Sequence, residues 1–369
     1  MNPFRTTAHP GVCALAAKHF RRQARRLRKQ LDGIRAADDI ECIHRARVAS
    51  RRLRAGLRMF QECLKPKVYR RWRKHIRGIT SGLGDARDLD VHIEFLCHAL
   101  CAIGETSLVP GVAKVLADLE TQRERLQPEV VKAVGRIARS GVLDEMRAAV
   151  KKVQSPNNGA GPASRSEAVY REAEGRIHAQ LDELRSHEGG LADPLAVTEH
   201  HAMRIAAKRL RYTLEIVKAP YGGTLDEMIG VTRRVQVLLG DIHDCDVWAE
   251  RLDAFASRQR QRILDRYGHE RPYGRLAPGI EHLRESRARD RERRFQELVG
   301  YWETLKRDGT WEELRRRAAA AGNPPAETAE PAPPADSPGC VSDQNGRNNP
   351  KRNTVPEASL AAFAGDRKD

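Results

Sequence analysis

Apolar residues recur along most of this chain three and four positions apart, the spacing of a helix that buries one face. No stretch alternates as a half-buried strand does. The pattern predicts helices over about residues 12–34, 40–62, 67–81, 86–102, 110–138, 166–186, 197–217, 224–238, 242–264 and 279–306. The chain is therefore expected to be all-α, with enough helices in each half for a four-helix-type bundle.

The two halves repeat one another, which constrains the fold more than any single helix does. His44-Arg-Ala-Arg47-Val-Ala-Ser-Arg51-Arg-Leu-Arg54 matches His201-Ala-Met-Arg204-Ile-Ala-Ala-Lys208-Arg-Leu-Arg211 at an offset of 157 residues. Leu83-Gly-Asp-Ala-Arg-Asp-Leu-Asp-Val91 matches Leu239-Gly-Asp-Ile-His-Asp-Cys-Asp-Val247 at 156. Further on, Pro110-Gly-Val112 matches Pro278-Gly-Ile280, and Ala138-Arg-Ser-Gly-Val-Leu-Asp-Glu-Met146 echoes Lys306-Arg-Asp-Gly-Thr-Trp-Glu-Glu-Leu314, both at 168. The second copy thus carries an insertion around Ser257–Arg275. Two bundles facing one another about a pseudo-two-fold axis is the simplest arrangement of such a duplication.

Composition marks the boundaries. Residues 151–165 (KKVQSPNNGAGPASR) read as a flexible linker between a first repeat at 12–150 and a second at 166–317. From 318 to 369 the chain turns to Pro, Ala, Asn and Gly, with Phe363 its one aromatic, and reads as a disordered tail. No window has the apolar length of a membrane span, and Met1–Pro10 lacks the succession of a signal peptide, so the expected compartment is the cytoplasm. Seven scattered cysteines read as reduced thiols, mostly small core residues.

Charge then points to the ligand. Lys and Arg number 66 against 50 Asp and Glu, a formal net charge of +16, so an anionic partner is expected. At about 100° per residue, His44, Arg47, Arg51, Arg54 and Arg58 fall within an arc of about 80°. Ala46, Ala49, Leu53, Leu57 and Phe60 lie opposite, so one helix buries one side and presents a basic ridge about 20 Å long on the other. In the second copy His201, Arg204, Lys208 and Arg211 form the same stripe, with Met203, Ala206, Leu210, Leu214 and Val217 opposite. Like charges stacked at these spacings repel by a few tenths of a kcal/mol per close pair, which a polyanion would offset.

Following the repeat alignment, Arg77 pairs with Arg233 and Arg87 with His243, extending the ridge to neighbouring helices. Arg70, Arg71, Arg73, Lys74 and His75, together with Arg21, Arg22, Arg25 and Arg28, are not reproduced in the second copy and read as mostly solvated faces. The competing reading of the stripe is an internal salt-bridge seam with Asp85, Asp88 and Asp90 and their counterparts Asp241, Asp244 and Asp246. Arg52 and Arg209, repeated but off the stripe, are the candidates to pair with those aspartates and pin the bundle. Cations nevertheless outnumber the motif's carboxylates.

Other chemistry is weaker. The repeated aspartates suit salt bridges or N-caps better than Mg²⁺ with arginines so near. Cys97, His98 and Cys101 with His92 lack the second pair of a zinc site. Glu172 and Glu174 lie in a helical segment, not on the barrel strand where alternating carboxylates of triphosphatases stand. No phosphate-binding loop, dinucleotide fingerprint or nucleophile elbow is present, so no catalytic residue, metal or cofactor is expected. Nucleic acid is the alternative partner, favoured by the basic balance. It is disfavoured by aromatics at 5% and almost absent from the stripes, Tyr212 apart, and by histidines that look buried.

The motif H-x-x-R-[VI]-A-x-[RK]-R-L-R followed by L-G-D-x-x-D-x-D-V, twice in one helical chain, resembles the CHAD domain, the conserved histidine α-helical domain, in stand-alone form over about residues 12–317. The resemblance implies two related helical bundles around a basic central groove or pore that binds inorganic polyphosphate. By similarity, His44, Arg47, Arg51, Arg54, His201, Arg204, Lys208 and Arg211 take the binding role. Association with polyphosphate granules or regulation of polyphosphate metabolism is the expected setting. Chemistry agrees: arginine forks give bidentate bonds to phosphate oxygens, lysine a point charge, and histidine a charge that grows below about pH 6.5. Binding should weaken with salt and strengthen in mild acid.

Overall fold

The computed structural model describes residues 2–36, 39–153 and 166–320. The expected linker from 154 onward and the Pro/Ala-rich tail from 321 lie outside the described residues. Eleven α-helices follow in order: α1 (Pro10–Ala36), α2 (Ile40–Met59), α3 (Pro66–Gly82), α4 (Gly84–Ala102), α5 (Val109–Arg139), α6 (Val142–Val153), α7 (Glu167–Ser186), α8 (Val197–Val217), α9 (Asp226–Tyr267), α10 (Ala277–Arg307) and α11 (Thr310–Ala320). Among the described residues the only extended pairing is an isolated bridge between Phe4 and Leu64. The protein is all-helical.

Local chemistry explains the boundaries. Asp39 caps α2, its carboxylate accepting the Glu41 N–H at 2.7 Å. Pro110 and Pro278 sit in the first turns of α5 and α10, where a missing N–H costs nothing. Gly141 and Gly309 hold φ of 68° and 63° between α5 and α6 and between α10 and α11, so the last of the sequence matches is a left-handed turn that admits glycine.

Two expectations need correction here. α9 runs unbroken for 42 residues, through the predicted gap between 238 and 242. Gly240 there is a buried helical residue, not a boundary. The first copy comes close to the same continuity: Leu83 stays in the right-handed helical region between α3 and α4, and its N–H donates to the Ile79 carbonyl at 3.1 Å. The L-G-D motif therefore lies within a helical run, and its first aspartate is no N-cap. Second, α6 and α11 are absent from the periodicity reading, although Val142, Leu143, Met146, Trp311 and Leu314 bury their apolar faces.

The apolar cores do not divide at the linker, as one bundle per copy would require. A large core gathers Phe20, Leu53, Trp72 and Ile137 of the first copy with Leu181, Leu210, Trp302 and Trp311 of the second. A smaller core is shared: Leu89, Leu96, Val112, Val115 and Leu119 from α4 and α5 pack with Trp248, Leu252, Phe255, Ile280 and Leu283 from α9 and α10. At its centre the chains cross almost in backbone contact. A Cβ on Gly111 would lie 2.2 Å from the Leu276 carbonyl oxygen, and one on Gly279 would lie 2.1 Å from that of Leu108. These are the glycines of the two Pro-Gly matches.

A buried cationic layer as the candidate functional site

The stripes fold as the sequence reads, but they are not a solvated ridge. Arg47, Arg51, Arg204, Lys208 and Arg211 are 2–6% exposed, and Arg87 on α4 is 4% exposed. His44, Arg54 and His201 are half-buried and Arg58 is exposed. The fully buried histidines are instead His19, His92 and His200. His200 makes a 2.9 Å bond to the Gly190 carbonyl and serves the fold.

Contacts between helices show how the layer assembles. α2 and α8, the two stripe helices, meet at Glu215: its carboxylate takes Arg52 of α2 at 3.0 Å and Arg211 at 3.7 Å. Arg47 reaches Asp88 of α4 at 3.5 Å, with both side chains buried, and Arg87 lies 3.9 Å from Glu41. In the second copy the His201 and His243 rings are 4.8 Å apart, joining α8 to α9. The structure thus brings the stripe cations together with Arg87 and His243. Arg77 and Arg233 are exposed on α3 and α9.

The aspartate partners differ from those expected. Arg52 binds Glu215 and Arg209 pairs with Glu183. Asp90 is held by Arg123 of α5 at 2.6 Å, and its counterpart Asp246 by Arg291 of α10 at 2.6 Å. Asp241 is held by Arg294 at 3.2 Å. Arg123 and Arg291 are themselves related by the offset of 168 that aligns the Pro-Gly matches, so the signal lay in the sequence. Helices α5 and α10 reach α4 and α9 with long arginines because they pack directly on them, whereas Arg52 and Arg209 are taken by the glutamates Glu215 and Glu183.

Electrostatics follows from the burial. Desolvation pushes the Asp90 carboxyl up from its ordinary range, against the pull of Arg123 and Arg87. Arg251, half-buried on α9, has its pKa lowered by burial and by Arg258, while Asp88 and Asp118 oppose the change. The charged side chains among the buried polar residues are the six cations Arg47, Arg51, Arg87, Arg204, Lys208 and Arg211 against two carboxylates, Asp88 and Asp90. Asp90 is already committed to Arg123.

The candidates set aside fall elsewhere. His92 packs against Trp248, the ring centroids 4.6 Å apart and the planes tilted by 51°, while Cys97 and Cys101 are exposed. Cys13, Cys63 and Cys245 are buried, Cys42 is half-buried, and Cys340 lies outside the described residues. Glu172 and Glu174 are on α7, and Glu172 pairs with Arg176 at 2.6 Å. Among the described residues no helix is long and apolar enough to cross a membrane.

An all-helical chain whose repeated His/Arg helix and Asp-rich helix pack into one buried charged layer defines the class. The CHAD domain profile matches residues 18–253, and the chain belongs to the CHAD-domain family. It is similar in fold to the CHAD domain from the plant Ricinus communis, with a TM-score of 0.53 and 18% identity over 84% of this chain and 92% of that one. PptA from Streptomyces chartreusis is similar too, with a TM-score of 0.51 and 17% identity over 82% of this chain and 99% of that one. No curated protein sequence matches the chain.

Proposed function

We propose that the protein is a non-catalytic receptor for inorganic polyphosphate, bound along the cationic layer formed by the two stripes. The observation that carries this reading is that the repeated motif places Arg47, Arg51, Arg87, Arg204, Lys208 and Arg211 as buried side chains on α2, α4 and α8. Gathering these like charges at low exposure makes them repel one another; Asp88, Glu41 and Glu215 temper that repulsion from within the fold, and a polyanion along the layer would offset it further. Arginine forks and a lysine suit phosphate oxygens, and a linear polymer suits cations contributed by successive turns of two helices. His44, Arg47, Arg51, Arg54, Arg58, Arg87, His201, Arg204, Lys208, Arg211 and His243 form this site, with Arg77 and Arg233 at its margins.

The reading includes a pseudo-two-fold relation between the copies, supported by the reciprocal Gly111–Gly279 crossing and by the ring contact of His92 with its repeat counterpart Trp248. It places the protein in the cytoplasm, at polyphosphate granules or in the control of polyphosphate metabolism. The absence of aromatics on the stripes beyond Tyr212 supports a phosphate-only polymer over single-stranded nucleic acid.

The test is a competition titration at fixed salt, with labelled long-chain polyphosphate displaced by unlabelled polyphosphate, single-stranded RNA or duplex DNA at equal phosphate concentration. Preferential displacement by polyphosphate is expected, along with its loss in Arg51→Glu/Lys208→Glu. Arg54→Glu/Arg58→Glu, on the more open end of the stripe, serves if the buried pair fails to fold. Equal displacement by nucleic acid would overturn the reading, and phosphate release that scales with protein would overturn its non-catalytic part.

A further inference from the structure

The first copy carries a second concentration of positive charge that, Arg77 apart, the repeated site does not include. A groove of about 840 Å³ runs between α3 and the C-terminal half of α5. Arg70, Arg73, Lys74, Arg77, Arg136 and Arg139 line its walls, with His75. All six of these cations are exposed, and none has a carboxylate partner among the described residues. Gly78, Ile79, Ala133 and Ile137 make a small, largely apolar floor, and no carboxylate lines the groove.

A basic composition does not by itself produce this. α10 is as rich in arginine, yet Arg284, Arg287, Arg289, Arg291, Arg293 and Arg294 each take an Asp or Glu partner. α3 contains no acidic residue at all. Its cations are spaced at i+3 and i+4 (Arg70 with Arg73 and Lys74, Arg77 with Arg73 and Lys74), and Arg136 with Arg139 adds another such pair. Each like-charged pair opposes the helix by a few tenths of a kcal/mol. An anion lying in the groove offsets these terms with attractive ones.

The groove is also not part of the duplication. The counterparts of Arg70, Arg73, Lys74 and His75 are Asp226, Ile229, Gly230 and Val231, and that of Arg136 is Thr304. Only Arg77 and Arg139 keep basic counterparts, Arg233 and Arg307, so four of the six cations belong to the first copy alone. The cations of α3 extend over about 10 Å, from Arg70 to Arg77, and face those of α5 across a slot. No aromatic side chain lines the slot, so it offers bases no stacking surface.

We propose that the α3/α5 groove is a second, unduplicated site for a phosphate polymer, separate from the buried layer; the inference rests on polyphosphate being the ligand. A long chain held at both sites gains affinity through effective concentration, whereas a chain too short to span them does not. Arg77, the one wall residue on α3 with a basic counterpart in the second copy, is where the two sites come nearest in sequence register.

The experiment uses the full chain with long-chain polyphosphate and tripolyphosphate. Arg73→Gln/Lys74→Gln/Arg136→Gln changes only exposed side chains, and its helical circular dichroism and melting should match wild type. Its affinity for the long chain should fall at least about tenfold while tripolyphosphate affinity changes much less. In parallel, phenylglyoxal labelling read by mass spectrometry should show long-chain polyphosphate protecting Arg73 and Arg136, both in wild type and in Arg54→Glu/Arg58→Glu. Unchanged long-chain affinity with no protection of Arg73 and Arg136, while the stripe arginines are still protected, would overturn the groove and leave the layer standing. No protection at either place in wild type would overturn the ligand reading and the groove together. Equal protection of the groove by single-stranded RNA would replace the proposal with a nucleic-acid site.

Discussion

Replacing Gly111 by alanine should damage this protein out of proportion to the one methyl group added. The new Cβ would stand 2.2 Å from the Leu276 carbonyl oxygen, 2.8 Å from Gly279 Cα and 3.0 Å from Ile280 N. All three neighbours are backbone, so no side chain can swing aside and α5 must move off α10 by about 1 Å. A gap of that size forfeits a quarter to a half of the dispersion attraction across it. The side chains that meet near this seam are Val112, Val115, Leu119, Ile280 and Leu283. With roughly ten cross-seam atom contacts each at about 0.1–0.2 kcal/mol, the loss comes to about 1–5 kcal/mol. The better helix propensity of alanine returns at most about 1 kcal/mol. A net cost of about 2–3 kcal/mol is expected, in the usual range for an overpacked core. Urea unfolding and calorimetry measure it, with a fall in Tm of roughly 3–5 °C. Gly300→Ala is the control, since a Cβ there meets nothing within 4 Å on the same helix α10, and it should be neutral or stabilising. Gly279→Ala added to Gly111→Ala should cost less than it does alone, because the helices have already separated. A Gly111→Ala protein within about 0.5 kcal/mol of wild type would refute the close crossing.

Three further outcomes are expected. Arg123→Ala leaves the buried Asp90 carboxylate without its 2.6 Å partner and should cost about 3 kcal/mol or more in denaturant unfolding; Arg291→Ala should cost less, because Asp246 is more exposed. His19 is buried against the Arg52 carbonyl at 2.9 Å, and burial lowers its pKa from 6.5 to about 4. The unfolded chain then takes up the proton first, so stability is complete above pH 6.5 and falls by about 3 kcal/mol as the pH drops toward 4. His19→Gln should flatten that slope between pH 7 and 4.5, and parallel profiles for the two proteins would refute the assignment. Polyphosphate binding should weaken steeply as ionic strength rises, and an affinity independent of salt would argue against a layer of cations as the binding element.

The helical fold and the polar face of each stripe helix were legible because both depend on spacing along one helix. What covers that face was not. A helical wheel separates apolar from charged positions but says nothing of the neighbour, so the cations read as an open, ligand-facing ridge while Arg47 and Arg51 are in fact buried, with Asp88 of α4 against Arg47. The same limit explains the partners of the aspartates: Arg52 belongs to the repeated motif, but Arg123 sits on the helix that packs against Asp90. The break expected near Gly240 failed for a local reason. A glycine and an aspartate in succession resemble a helix start, yet close packing inside a helix also calls for glycine. The short helices α6 and α11 have too few turns for periodicity to stand out, and their left-handed glycines, Gly141 and Gly309, were the readable sign of them.

The shared core around Gly111 and Gly279 bears on how such a chain arises. Half of this sequence, expressed alone, would expose Leu89, Val112, Val115 and Leu119 to water, and a second half is what buries them. A single-copy ancestor would therefore have been stable only as a homodimer, its folding tied to its own concentration. Joining the copies through one linker replaces that dependence with a fixed local concentration in the millimolar range. It also frees the two halves to diverge, and the acidic and apolar residues standing opposite the basic wall of α3 record that divergence.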